Sequence, residues 1–195
     1  MNMRIAILAL QGAFVEHKRR LESIGIDTFY VRNAEDWQKH KDALVIPGGE
    51  STAMWRMIKD FNMERPICDE IKAGMPVFGT CAGMILLDSA HLQTMNIEAE
   101  RNAYGRQLGS FRTSGAFQGI SHDVPMTFIR APYIKKAGEK VRILARVDER
   151  AVAAQQGNQL VTAFHPELDE DSAIHLYFKD IVLEWVKNNS RQRIL

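Results

Sequence analysis

Four short apolar runs, at residues 4–10, 27–31, 43–46 and 75–78, frame the first half of the chain. Continuous apolar runs of this length suit strands covered on both faces, as in a parallel sheet. Helical stretches lie between them. Residues 14–24 stop at Gly25, a favoured C-terminal cap. Residues 52–61 form a second helical stretch, and residues 66–73 a third that opens with Pro66 and closes at Gly74. Strand and helix in alternation predict an α/β fold with helices on both faces of the sheet.

The second half reads differently. Residues 127–129, 141–147, 151–156 and 160–164 look like short strands separated by turns. Gly157-Asn158 marks a tight reversal, so part of this half is expected to be antiparallel. An amphipathic helix follows, with Ile174, Tyr177, Phe178, Ile181, Val182 and Trp185 on one face. Residues 189–195 read as a frayed tail, and the 195 residues as a single domain.

Charge and cysteine usage exclude several classes. A net charge of +1 provides no general drive toward nucleic acid or an anionic membrane. The apolar run at residues 5–10 is far too short to span a bilayer, and no small-residue cleavage site follows it. Cys68 and Cys81 make neither a disulfide framework nor a zinc-ribbon pattern. Two free thiols point to a reducing compartment, the cytoplasm.

Three segments carry chemistry. Phe78-Gly79-Thr80-Cys81-Ala82-Gly83 lies between a predicted strand and the helical Met84-Ile85-Leu86-Leu87. Gly-x-Cys-x-Gly in that setting is the thiol counterpart of a nucleophile elbow, whose small residues permit a sharp turn. The positive end of the following helix favours thiolate, and the Ala82 N–H faces the place where an oxyanion forms. The plainer alternative is a small buried cysteine beside a glycine turn. Downstream, a predicted strand runs into His165-Pro166-Glu167. Pro166 keeps His165 extended, and residues two apart in extended chain point the same way. His165 and Glu167 then face one site, the carboxylate fixing the imidazole tautomer. Alternatively, His165 caps a proline turn and Glu167 starts the last helix. Finally, Pro47-Gly48-Gly49-Glu50-Ser51 also joins a strand to a helix, as an oxyanion donor or as a plain connection. It lacks the Gly-Lys-Ser/Thr ending of a phosphate loop. Among the remaining candidates, Cys68 reads as packing, and His40, His91, His122 and His175 as surface. His17 reads as exposed or as a partner contact.

Together these three segments resemble the class I, or triad, glutamine amidotransferases. Leu8-Ala9-Leu10-Gln11-Gly12 with Glu16-His17, the stretch from Glu100 to Gln107, and Phe128-Ile129-Arg130-Ala131-Pro132 are similar to the glutaminase subunits of pyridoxal 5′-phosphate synthases. The likeness spans essentially the whole chain. Two departures are Ala53-Met54, where threonine is usual, and a short stretch between Leu87 and Glu98.

The resemblance implies a three-layer, flavodoxin-like fold with a mainly parallel sheet. It implies hydrolysis of L-glutamine to glutamate and ammonia, with Cys81 as nucleophile, His165 as proton carrier and Glu167 orienting it. Gly49 and Ala82 would form the oxyanion hole. Gly48, Gly49, Glu50, Arg106, Ile129 and Arg130 would contact glutamine. Ammonia would pass to a (β/α)8-barrel synthase subunit within a large hetero-oligomer, and neither cofactor nor metal is implied for this chain. Rival readings are the glutaminase of another pathway, such as imidazole glycerol phosphate synthesis, a cysteine peptidase or other thiol enzyme, and an inert scaffold for the synthase.

Overall fold

The computed structural model describes residues 3–101 and 109–192. Its first half contains β1 (Arg4–Leu8), α1 (Phe14–Ser23), β2 (Asp27–Val31), α2 (Ala34–Trp37), β3 (Ala43–Ile46), α3 (Ser51–Asp60), α4 (Glu64–Lys72), β4 (Val77–Thr80) and α5 (Ala82–Leu87). Then come β5 (Ile97–Glu100), β6 (Ser110–Gly115), β7 (Val124–Ile129), β8 (Tyr133–Ala137), β9 (Arg142–Val147), β10 (Arg150–Gln156) and β11 (Gln159–Thr162). A 3-10 turn at Pro166–Leu168 leads to α6 (Ala173–Gln192). None of the described helices is long and apolar enough to cross a membrane.

The strands β2-β1-β3-β4-β11 are parallel neighbours in that order. This is the 2-1-3-4-5 order of flavodoxin-like sheets, with β11 arriving from the far end of the chain. Beyond β11 the sheet turns antiparallel, through β10, β8 and β5, with β9 also on β10. The β10–β11 hairpin reverses at Gly157-Asn158, as the sequence predicts, and Gly157 has positive φ. β6 and β7 form a separate hairpin.

Side-chain alternation along β4 shows how the layers are built. Phe78 is fully buried against His17 of α1 and His175 and Phe178 of α6. Its neighbour Gly79 faces α5: a Cβ there would lie 2.7 Å from the Gly83 carbonyl carbon. Adjacent residues of a strand point to opposite faces, so α1 and α6 cover one face of β4 and α5 covers the other. Burying one phenylalanine side chain of this kind contributes roughly 1.5–3 kcal/mol.

Several boundaries differ from expectation. β4 begins at Val77 because Pro76, which the predicted run includes, has no N–H for the ladder; its carbonyl still accepts from Leu44. The three unpredicted strands β5, β6 and β8 lie outside the parallel core. β6 alternates exposed and half-buried residues, and β8 carries Lys135 and Lys136. The expected tail at residues 189–195 is corrected in part: α6 runs through Gln192, continuing a helix whose Val182 and Phe178 are anchored in the core.

Candidate active site

The carboxyl ends of β3, β4 and β11 lie side by side, and each is followed by one of the three motif segments. That is where an open α/β sheet presents its crevice. A cavity of about 420 Å³ opens there, lined by Gly48, Gly49, Glu50, Cys81, Ala82, Ile129, Arg130 and His165 among others. Every predicted site residue in the described region lines it except Glu167, which stands behind His165. Arg106 lies outside the described residues.

Cys81 leaves β4 with φ 48° and ψ −102°, a strained conformation for a residue with a side chain. The turn is held because the Cys81 N–H donates to the Thr162 carbonyl of β11 at 2.7 Å. It is tight because α5 sits almost on the sheet. A Cβ on Gly83 would lie 2.1 Å from the Ile46 carbonyl oxygen, so only glycine fits. Ala82 is the first residue of α5, and its N–H belongs to the free N-terminal turn.

His165 follows β11, and its N–H donates to the Thr127 carbonyl of β7 at 2.8 Å. Its Nδ1 donates to Glu167 Oε1 at 2.7 Å, and both side chains are buried. Burial alone would lower the His165 pKa. Hydrogen bonding with Cys81 and Glu167, together with the negative charge of Glu167, holds it up to about 10. Glu167 is pushed up by its own burial, yet His17 and the hydrogen bond from His165 bring it below the usual carboxylate range. At neutral pH the site therefore holds a protonated imidazole between a buried carboxylate and the sulfur.

The glycine loop is tethered on three sides. The Gly48 N–H donates to Thr80 Oγ1 at 2.9 Å, and the Gly48 carbonyl accepts from the Ala13 N–H at 2.9 Å. The Glu50 N–H donates to Gln11 Oε1 at 2.6 Å. A trans peptide sets the Gly49 N–H opposite the Gly48 carbonyl. Gly48 packs so closely that a Cβ would meet the His165 ring at 2.2 Å and Cys81 Cβ at 3.2 Å. Glu50, expected at the substrate, spends both carboxylate oxygens on the α3 N-terminus, accepting from Thr52 and Ala53 at 3.0 and 2.6 Å. Those two bonds hold its pKa below the ordinary value.

Some residues at the site escape a sequence reading. Arg101 lines the cavity, with Nη1 donating to Thr52 Oγ1 at 3.1 Å. Two histidines require correction. His17 is fully buried, neither exposed nor free to face a partner, and His175 is fully buried and not on the surface. Both stand behind the triad, where Phe78 packs against their rings. The one sequence signal was positional: His175 falls one residue after Ile174 on the last helix, beside its apolar face. Cys68, half-buried, donates to the Leu92 carbonyl, and desolvation raises its pKa.

Comparison with known proteins agrees with this geometry. The model of the SNO glutamine amidotransferase family matches residues 7–184. The pyridoxal 5′-phosphate synthase subunit PdxT of Streptococcus pneumoniae (strain CGSP14) is 50% identical over 192 residues, covering 93% of this chain and 98% of the relative. The subunit of the same name from Methanocorpusculum labreanum is 50% identical over 186 residues, covering 92% and 98%. A crystal structure of a glutamine amidotransferase superposes with a TM-score of 0.85 at 37% identity, covering 91% of this chain and 98% of that one. The chain belongs to the SNO glutamine amidotransferase family.

Proposed function

We propose that this chain is the glutaminase subunit of a pyridoxal 5′-phosphate synthase, releasing ammonia from L-glutamine for vitamin B6 synthesis. The observation that carries the reading is the joining of Cys81, His165 and Glu167 at one crevice, in a chain half identical to named synthase subunits. In this reading the Cys81 sulfur attacks the side-chain amide carbon. The Gly49 and Ala82 N–H groups receive the developing oxyanion. His165 takes the thiol proton of Cys81, gives it to the departing ammonia, then takes one from the water that cleaves the thioester and returns it to the sulfur. The leaving nitrogen takes one proton, water supplies the hydroxyl, and glutamate and ammonia balance the reaction. Gly48, Ile129 and Arg130 line the cavity where the amino-acid end of glutamine would lie. A guanidinium matches a carboxylate in shape and charge.

The partner in this reading is a (β/α)8-barrel synthase subunit in a hetero-oligomer, within the cytoplasm, and the 195 residues act as one domain. Control by that partner has a physical route. The oxyanion loop hangs on the segment joining β1 to α1, through Ala13 and Gln11. A partner that docks on this segment moves the Gly48-Gly49 peptide, which has no side chain to fix it. One missing oxyanion donor costs about 10²–10³ in turnover. Steady-state glutamate release, measured with and without the synthase subunit, tests the reading. Turnover should rise on adding the synthase, and amide-¹⁵N from glutamine should appear in pyridoxal phosphate. No glutamate release in either condition would overturn it.

A further inference from the structure

Behind the triad lies a buried polar chain that the proposed reaction does not use. His17 Nε2 is 3.1 Å from Thr80 Oγ1 and 3.3 Å from Glu167 Oε2. His17 Nδ1 is 3.2 Å from His175 Nε2. All four side chains are buried, and Phe78 packs edge-on against both rings.

The proton positions follow from the neighbours. Burial depresses the pKa of His17 and His175, so both are neutral near pH 7 and each carries one N–H. A carboxylate beside His17 Nε2 favours an N–H there over a lone pair. That hydrogen points to Thr80 Oγ1 and lies beside Glu167 Oε2, which has no in-line hydrogen bond. His17 Nδ1 is then a bare acceptor, so His175 donates from Nε2. The remaining nitrogen, His175 Nδ1, is bare, in keeping with its having no hydrogen-bond partner.

Thr80 closes the circuit. Its Oγ1 also accepts the Gly48 N–H at 2.9 Å. One imidazole thus touches the carboxylate that orients His165 and the hydroxyl that anchors the oxyanion loop. Helix α1 grips the same region one turn later: Arg20 donates to the backbone carbonyls of Asp169 and Glu170, just after Glu167.

We propose that His17 is a positioning residue of this site: oriented by His175, it ties the triad carboxylate of Glu167 to the Gly48 loop through Thr80. The inference rests on the glutaminase reading above. It makes the two halves of the machinery, proton carrier and oxyanion hole, share one support. Leaving buried polar partners such as Thr80 Oγ1 and Glu167 Oε2 without this neighbour costs about 1–3 kcal/mol, equivalent to about five- to a hundredfold in rate.

The test compares His17→Leu, His17→Gln and His175→Leu with the surface control His122→Asn, each assayed with the synthase subunit. His17→Leu should lower kcat about five- to a hundredfold, with KM little changed. Its acid limb should move to higher pH, because Glu167 Oε2 exchanges an imidazole nitrogen 3.3 Å away for buried hydrocarbon, which disfavours the carboxylate. The groups facing this circuit are His165 and Cys81 at the triad, Glu16 and Arg20 on α1, and His175 on α6. None of them replaces the missing donor. His17→Gln, which keeps an N–H at similar reach, should recover much of kcat, and His175→Leu should show a smaller loss of the same kind. A His17→Leu protein with wild-type kcat and acid limb, whatever its melting temperature, overturns the proposal. If His17→Leu does not fold, the contrast of His17→Gln and His175→Leu decides: equal, wild-type pH profiles in both overturn it. A wild-type chain that releases no glutamate condemns the glutaminase reading itself, a separate outcome.

Discussion

At the residue scale, the site depends on groups forced into positions they would not otherwise choose. Cys81 takes a positive φ where its N–H is tied to Thr162 and Gly83 of the following helix packs against Ile46 of β3. His165 retains its proton because Glu167 and Cys81 outweigh the burial that would remove it. Different substitutions should therefore fail differently. His165→Asn removes the proposed proton carrier and should cost about 10²–10⁴ in kcat. Glu167→Gln keeps the shape and loses only the charge, so the loss should be nearer about ten- to a hundredfold. The sign on pH is also set. A raised His165 pKa keeps the imidazolium up to about pH 10, so activity that needs it fails as pH rises through that value. Without the Glu167 charge, His165 loses its proton earlier, and the alkaline limb of the pH–rate profile should shift to lower pH. An unshifted limb with undiminished kcat would mean that Glu167 merely starts the turn after His165.

At the scale of elements, the three glycine-bearing segments do different jobs, and substitution separates them. A methyl on Gly83 collides with the Ile46 backbone and pushes α5 off the sheet. Gly83→Ala should cost about 1–3 kcal/mol of stability and lower the melting temperature. A methyl on Gly48 collides instead with the His165 ring and Cys81 Cβ, side-chain atoms of the site and not the backbone of the sheet. Gly48→Ala should therefore retain most of its melting temperature and lose most of its glutamate release. The same elements show what a sequence makes visible. The parallel strands and the elbow were legible because their apolar runs, glycines and proline follow from local backbone requirements. β5, β6 and β8 were not, since half-exposed antiparallel strands carry charged and small residues at alternating positions. The histidine pair was hidden for another reason. His17 lies on a helix rich in charged residues, and nothing local says that Phe78 and α6 will close over it. Glu50 illustrates a third case: it lines the cavity as expected, while its second task of capping α3 with both oxygens is visible only in the fold.

For the molecule as a whole, burying two neutral histidines has a consequence for stability. The pKa values of His17 and His175 fall below their ordinary 6.5 because burial disfavours the cation. The unfolded chain therefore binds more protons than the native one below about pH 6.5. The contribution of these two histidines is fully present above that pH and declines on acidification, by up to about 1.4 kcal/mol per pH unit for each group, whereas the raised pKa of His165 removes stability as pH climbs from 6.5 toward about 10. Glu167, with its pKa lowered from 4.5, joins only at lower pH. Thermal unfolding should thus show a falling midpoint between pH 6.5 and 5, and His175→Leu should flatten that slope. A midpoint independent of pH across this window would contradict the burial of neutral imidazoles. The central claim, however, concerns chemistry: a single sulfur at the end of β4 opens the glutamine amide. The most direct measurement is glutamate release by folded Cys81→Ala and Cys68→Ala proteins, each assayed with the synthase subunit. The account predicts a native circular dichroism spectrum for both, no detectable glutamate from Cys81→Ala, and near wild-type turnover from Cys68→Ala. Glutamate produced at a substantial rate by folded Cys81→Ala protein would contradict it.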